Sequence, residues 1–231
     1  MVTGAGRGIG AAVAAALARE GVEVVDASRA GGIDVTSSDA AALIAGRAPR
    51  VDILVNNAGT SFARPLDELT DADWEGQFAL NVTGPRRLMQ AFAPGMAERG
   101  WGRIVNVTSS SGKRPSLTNA AYSVTKAAQL SLSRVFAEAY AGSGVLVNAV
   151  APGPVASPLW LEPGGLADQA AERRGVGREE ALAAQAAKLP LGRFATPEEI
   201  ASVIVFLCSE RASTVTGAAW SADGGAVPTI I

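Results

Sequence analysis

Tyr122 and Lys126 are spaced to make an acid–base pair. They open the apolar run Ala121 to Tyr140, and on a helix two residues four apart share a face, one turn from each other. A free phenol ionises near about pH 10, and a neighbouring cation favours its phenolate, so the pair is placed to exchange a proton near neutrality. Ordinary surface residues share this spacing too. Its meaning therefore depends on the elements around it.

Composition narrows which other side chains could move protons. The chain of 231 residues has no histidine, which excludes a Ser-His-Asp triad, a histidine base and any histidine-bearing metal site. No metal is expected. Its one cysteine, Cys208, lies in the apolar stretch Ile204 to Cys208, where packing is the expected role. Proton transfer near pH 7 is thus left to Tyr, Lys, Asp or Glu. Lys+Arg 20 against Asp+Glu 22 gives a net charge of -2, so no general attraction to nucleic acid or a membrane surface is expected. With 48% hydrophobic and 18% charged residues the chain reads as one globular domain, 1–231. No apolar run reaches membrane-spanning length and no export pattern opens the chain, which predicts a cytoplasmic location.

The elements that must position the pair begin with Thr3-Gly4-Ala5-Gly6-Arg7-Gly8-Ile9-Gly10, followed by the small-residue run Ala11 to Arg19. Glycines between a strand and a helix let backbone approach a pyrophosphate, which the helix N-terminus then holds. Only Met1 and Val2 precede Thr3, so the first strand is either stunted or has lost residues from its start. Val22 to Val25 reads as a second strand, ending in Asp26-Ala27-Ser28-Arg29. An acid there suits the ribose of NAD and an arginine the extra phosphate of NADP; both are present. Asp34-Val35 follows so soon that the crossover between these two strands is cut to a turn.

Asp52 to Val55 is a third apolar strand, ending in Asn56-Asn57-Ala58-Gly59, either a plain turn or a ligand-facing strand end. Asp71 to Arg99 has helical periodicity, with Pro85 expected to kink it and Asn81 polar among apolar neighbours. Asn81 is either solvent-exposed or frees a backbone carbonyl and holds a water near the site. Arg103 to Val107 is a strand ending in the hydroxyl cluster Thr108-Ser109-Ser110-Ser111, and Val145 to Val150 is another, ending in Ala151-Pro152-Gly153-Pro154. Val- and Ile-rich strands alternating with helices predict a doubly wound parallel sheet with helices on both faces. Residues 155–190, with Leu159, Trp160 and Leu161, are a candidate substrate lid, or else a surface excursion or subunit contact. Thr196-Pro197-Glu198-Glu199 is a capping box opening a helix. Gly217 to Trp220 is the last strand, before Asp223-Gly224-Gly225 and an apolar tail.

In this order and spacing, the sequence resembles the compact members of the short-chain dehydrogenase/reductase family over nearly its whole length. The resemblance rests on Thr3 to Gly10, Asp34-Val35, Asn56 to Gly59, Asn81, Ser109, Tyr122 with Lys126, Pro152-Gly153, and the tail from Gly192-Arg193 through Asp223-Gly224-Gly225. It implies a Rossmann-type fold and a tetrad. In it Tyr122 is the general acid/base, Lys126 lowers its pKa and holds the nicotinamide ribose, Ser109 orients the substrate oxygen and Asn81 positions a relay water. Ser111 is the fallback for Ser109 and, with Leu159 and Trp160, a candidate substrate contact.

The cofactor contacts it implies begin with Gly4, Arg7, Gly8, Ile9 and Gly10, then Ser28, Arg29, Asp34 and Val35. Asn56, Ala58 and Gly59 follow, and finally Pro152, Gly153, Val155 and Ser157, with Tyr122 and Lys126 shared. Ser28 stands where relatives selecting NAD carry an acid. With Arg29 next to it and Arg7 in the glycine turn, this favours NADP over NAD. The activity implied is hydride transfer between nicotinamide and a carbonyl or secondary alcohol, first as a ketone reductase of the 3-oxoacyl type. That substrate is possibly carried on an acidic carrier protein, which Arg114, Arg173, Arg174 and Arg178 could meet. A dehydrogenase of a small cyclic or secondary alcohol is the alternative, and a non-catalytic dinucleotide-binding sensor is the reading from another class. Analogy to the family further implies a homotetramer through the helices at 71–99 and 121–141.

Overall fold

A computed structural model describes residues 1–228. The end of the apolar tail, 229–231, lies outside the described residues. Six parallel strands form one sheet in the order β2-β1-β3-β4-β5-β6. The strands are β1 (Val2–Thr3), β2 (Asp26–Ala27), β3 (Ile53–Asn56), β4 (Gly102–Val107), β5 (Val145–Pro152) and β6 (Ala219–Ala222). The chain winds outward from β1 to β2, then returns past β1 to β3 and continues to β6. This reversal puts a crevice at the carboxyl ends of β1 and β3. β4 and β5 pair over six positions, from Gly102 with Val145 to Val107 with Val150. All six residues of β4 are buried, as a strand covered on both faces requires.

Helices cover both faces. On one, α1 (Gly8–Arg19) and α10 (Pro197–Cys208) pack Val13, Leu17, Ile200 and Ile204 against Val2, Val55 and Val105. On the other, α2 (Ala40–Arg47), α4 (Gly84–Glu98) and α6 (Ala120–Tyr140) bury Ile44, Met89 and Phe136 against Leu54, Ile104 and Val147. The capping box of α10 forms as expected, with Thr196 and Glu199 each accepting from the other's backbone N–H. Cys208 is buried on α10, and burial pushes its thiol up to about 12. No helix among the described residues is long and apolar enough to cross a membrane.

The first half departs from the sequence reading in three places. The second strand is Asp26–Ala27, not Val22 to Val25, because it pairs with β1, and β1 offers only Val2 and Thr3 as partners. Asp34-Val35 is not a strand. Ile33 N–H bonds back to Ser28 O at 2.9 Å, and the Asp34 carboxylate takes both the N–H and the hydroxyl of Thr36, at 2.9 and 2.7 Å. The chain therefore turns inward, burying Ile33 and Val35, and enters α2, which the sequence reading did not anticipate.

The 71–99 segment is not one helix kinked at Pro85. It is α3 (Asp71–Phe78), a π-helical turn over Ala79–Thr83, and α4, with Pro85 in the first turn of α4 where its lack of an N–H costs nothing. Further on, β6 begins two residues later than the expected last strand. The 155–190 segment is largely helical, as α7 (Pro158–Leu161), α8 (Leu166–Arg174) and α9 (Arg178–Ala186), so it is packed rather than loose. Trp160 is anchored edge-on against Phe194, 5.0 Å between ring centroids.

Candidate active site

The crevice holds a cavity of ≈ 600 Å³ that runs from the glycine turn to α6. At one end, Gly4 and Gly8 have φ of 65 and 56, a conformation that glycine adopts without strain. A Cβ on Gly10 would lie 2.2 Å from Gly4 O, so the turn closes only with glycine there. The N-terminus of α1 has no side-chain cap and no acidic residue in its first turn. Its free N–H groups and positive dipole end fit a pyrophosphate.

The far end is built on α6 and β4. Tyr122 and Lys126 share a face of α6, with Lys126 Nζ 5.6 Å from the centroid of the phenol ring. A short helix, α5 (Ser110–Lys113), lies against α6 at this point, and a Cβ on Gly112 would be 2.8 Å from the Lys126 backbone. This close approach carries Ser109, the cap of α5, to Tyr122. Ser109 Oγ accepts from Ser111 N–H at 3.1 Å, and its hydroxyl can donate to the Tyr122 phenol or to a substrate oxygen beside it. Burial pushes the Tyr122 phenol above its ordinary value, and a hydrogen bond with Ser109 opposes the shift.

Lys126 is buried and donates to Val107 O at 2.8 Å and to Gln129 Oε1 at 3.0 Å. Burial lowers its pKa to about 7. Removal from water thus raises the phenol and lowers the lysine, which leaves the lysine only partly charged near neutrality.

Asn81 is fully buried in the π-helical turn, so the solvent-exposed alternative is wrong. Gly84 N–H reaches back five residues to Ala79 O, the register shift of a π turn. Asn81 Nδ2 donates to Gln77 and Thr125, while Oδ1 has no partner among the described residues.

Most of the expected contact residues line the cavity: Gly4, Arg7, Gly8 and Ile9, Ser28 with Arg29, Asp34 with Val35, Ala58 with Gly59, Pro152 with Gly153, Val155, Ser157, Leu159 and Trp160. Four do not. Gly10 is enclosed within the turn. Asn56 bonds to Asn106 across the sheet at 2.8 Å, and Asn57, whose Nδ2 donates to Thr3 O at 2.9 Å, lines the cavity in its place. Asn81 sits behind the wall, its Oδ1 3.4 Å from where a Cβ on the lining residue Gly59 would lie. Ser111, on α5, does not line the cavity, whereas Ser109 does. The sequence reading passed over Thr108, Leu80 and Pro158 as lining residues. Thr108 was legible as the first hydroxyl after β4, whereas Leu80 and Pro158 carry no signal of their own.

Both arginines expected to grip a phosphate are already paired with acids: Arg29 with Asp34 at 3.0 Å and Arg7 with Glu162, just after α7, at 2.7 Å. Arg173, Arg174 and Arg178 are outside the cavity wall, and Arg178 is engaged with Asp168.

Residues 27–227 match a family model described as Enoyl-(Acyl carrier protein) reductase. The chain is 38% identical to 2-(S)-hydroxypropyl-CoM dehydrogenase 3 of Xanthobacter autotrophicus, over 97% of this chain and 94% of that protein. It is 37% identical to cis-4-hydroxycyclohexanecarboxylate dehydrogenase of Sinomonas cyclohexanicum, with the same coverage of 97% and 94%. Among solved structures, an NAD(P)-dependent gluconate 5-dehydrogenase from Beutenbergia cavernae with bound NADP, so assigned provisionally, superposes with a TM-score of 0.86 at 34% identity, covering 99% of this chain and 96% of that one.

Proposed function

This chain belongs to the short-chain dehydrogenase/reductase family and is an NAD(P)-dependent oxidoreductase, and from that premise we propose that it interconverts a small secondary alcohol and its ketone, with NADP as the preferred cofactor. The observation that carries the reading is the convergence of Ser109, Tyr122 and Lys126 on one cavity wall, opposite a glycine turn and bare helix end suited to a dinucleotide. The cofactor, when bound, supplies or accepts hydride at its nicotinamide ring. Tyr122 gives the substrate oxygen its proton in reduction and removes it in oxidation. Ser109 orients that oxygen by turning its hydroxyl proton from the phenol to the substrate. Lys126 holds the nicotinamide ribose and, once charged there, stabilises the phenolate. Asn81, with Oδ1 free behind the wall, serves the proton relay.

The preference for a small alcohol over a carrier-bound 3-oxoacyl chain comes from the cavity. Leu159 and Trp160 line it, and the arginines that would receive an acidic carrier do not. The 3-oxoacyl reading keeps the support of the family description, which names an acyl carrier. Arg29 and Arg7 support NADP because both are exposed and can exchange a carboxylate for a phosphate. Val124 and Val135 on α6 and Phe78 on α3 are exposed, which supports assembly into a homotetramer through these helices.

The test is kcat/KM for cyclic and acyclic secondary alcohols, their ketones and 3-oxoacyl thioesters, each with NADP(H) and NAD(H). The reading expects the small alcohols and NADP(H) to lead. A lead for thioesters replaces the substrate class, a lead for NAD(H) replaces the cofactor, and no turnover with any pair defeats the proposal.

A further inference from the structure

Lys126 is held by two acceptors on different elements, and a buried polar chain fixes the distance between those elements. Val107 O comes from the end of β4, and Gln129 Oε1 from the next turn of α6. Beside Val107, Asn106 accepts from Asn56 at 2.8 Å and donates to Ser133 Oγ at 2.8 Å, and Ser133 in turn donates to Gln129 O at 2.7 Å. Asn106, Ser133 and Gln129 are all essentially inaccessible to solvent. The chain therefore clamps α6 to β4 at the level of the lysine, and a buried polar group in such a network keeps one geometry because the alternative leaves it unsatisfied.

We propose that Gln129 is a positioning residue for the Lys126 ammonium: with Val107 O it occupies two of the three N–H donors and leaves the third for the cavity beside Tyr122. This rests on the proposed roles of Lys126 and Tyr122. A carbonyl acceptor also favours the charged lysine, opposing the burial that discharges it. Tyr122 on α6 is the titratable side chain placed beside Nζ, and burial alone accounts for the lowered lysine. The Gln129 amide is thus the polar side chain that sets both where the ammonium points and how much of it is charged near neutrality.

Lys113, Lys126 and Lys188 are the only lysines, so side-chain NMR of the full chain labelled in lysine follows each titration without substrate or cofactor. Gln129→Leu is expected to lower the Lys126 midpoint, and Gln129→Glu to raise it, each by on the order of one pH unit. Lys113 and Lys188 should not move, which controls for the fold. Turnover by Gln129→Leu is expected to fall by about tenfold in kcat with KM for the alcohol little changed, and Gln129→Glu to recover most of it. Should Gln129→Leu fail to fold, the Gln129→Glu titration decides alone. A Lys126 midpoint that stays put in the variants that fold overturns the proposal, as does wild-type kcat in Gln129→Leu. A protein that turns over no substrate would defeat the proposed function, while the titration would still decide the part played by Gln129.

Discussion

The two ends of the cavity are held by different physics. At the α6 end the polar groups are buried and joined by hydrogen bonds: Lys126 is 2% exposed, Gln129 1% and Asn81 0%. At the β2 end the groups sit in water: the Arg29 and Asp34 side chains are 74% and 41% exposed, and those of Arg7 and Glu162 67% and 52%. Exposed pairs of this kind contribute about 0–1 kcal/mol and are screened by salt, whereas a buried network costs several times more to disrupt. The α6 end is therefore fixed before anything binds, while the arginines proposed to distinguish cofactors are free to exchange partners. In enzymes this division is expected, since geometry at the reacting atoms matters more to rate than geometry at a remote phosphate.

Substitutions at each end should differ accordingly. Tyr122→Phe is expected to reduce kcat by about 10³-fold while cofactor affinity, read by fluorescence quenching, changes little. A variant keeping a tenth of wild-type turnover would remove Tyr122 from the acid–base role. At the exposed end, Arg29→Ser should raise KM for NADPH by about tenfold and leave KM for NADH unchanged, because it removes one charge-assisted contact. An equal effect on both cofactors would mean that Arg29 does not read the phosphate.

The buried lysine gives a stability test with a defined sign. Its folded pKa of about 7 lies below the ordinary lysine value of 10.5, so between those pH values the unfolded chain binds more protons and stability rises with pH. Below pH 7 the cost of burying the charge is carried in full. Tm of the wild type, measured against Lys126→Met, should climb from pH 7 towards pH 10, and a constant difference across that window would contradict the burial. The smallest effect belongs to the Arg7–Glu162 pair. Glu162→Gln should change stability by about 1 kcal/mol or less in a denaturant titration, and its effect should vanish in high salt.

How much of this was legible in the sequence follows the same division. Tyr122, Lys126, Ser109 and the glycine turn were readable because each is a residue type with few other uses at its place, at spacings that local geometry fixes. The strand ends were readable because apolar runs stop at polar or glycine residues. The region from Val22 to Arg47 was misread: whether a short apolar run becomes a strand depends on a partner strand, and β1 offers two residues. The break at Asn81 was sensed as a polar residue in an apolar helix but assigned to Pro85. A π turn is a hydrogen-bond register that side-chain periodicity does not specify.

The sequence by itself determined the chemistry available to this protein. With no histidine and its one cysteine in an apolar run, it leaves tyrosine, lysine, aspartate and glutamate to move protons, and its glycine turn and alternating strands point to a crevice suited to a dinucleotide. Only the tertiary structure decided the state of those groups. Burial raises the Tyr122 pKa and lowers that of Lys126, two acceptors from β4 and α6 hold the amine, and carboxylates brought from Asp34 and Glu162 occupy both arginines. The reason is that residue type fixes what a side chain can do, while its pKa and its partners depend on the solvent it loses and on neighbours distant in sequence.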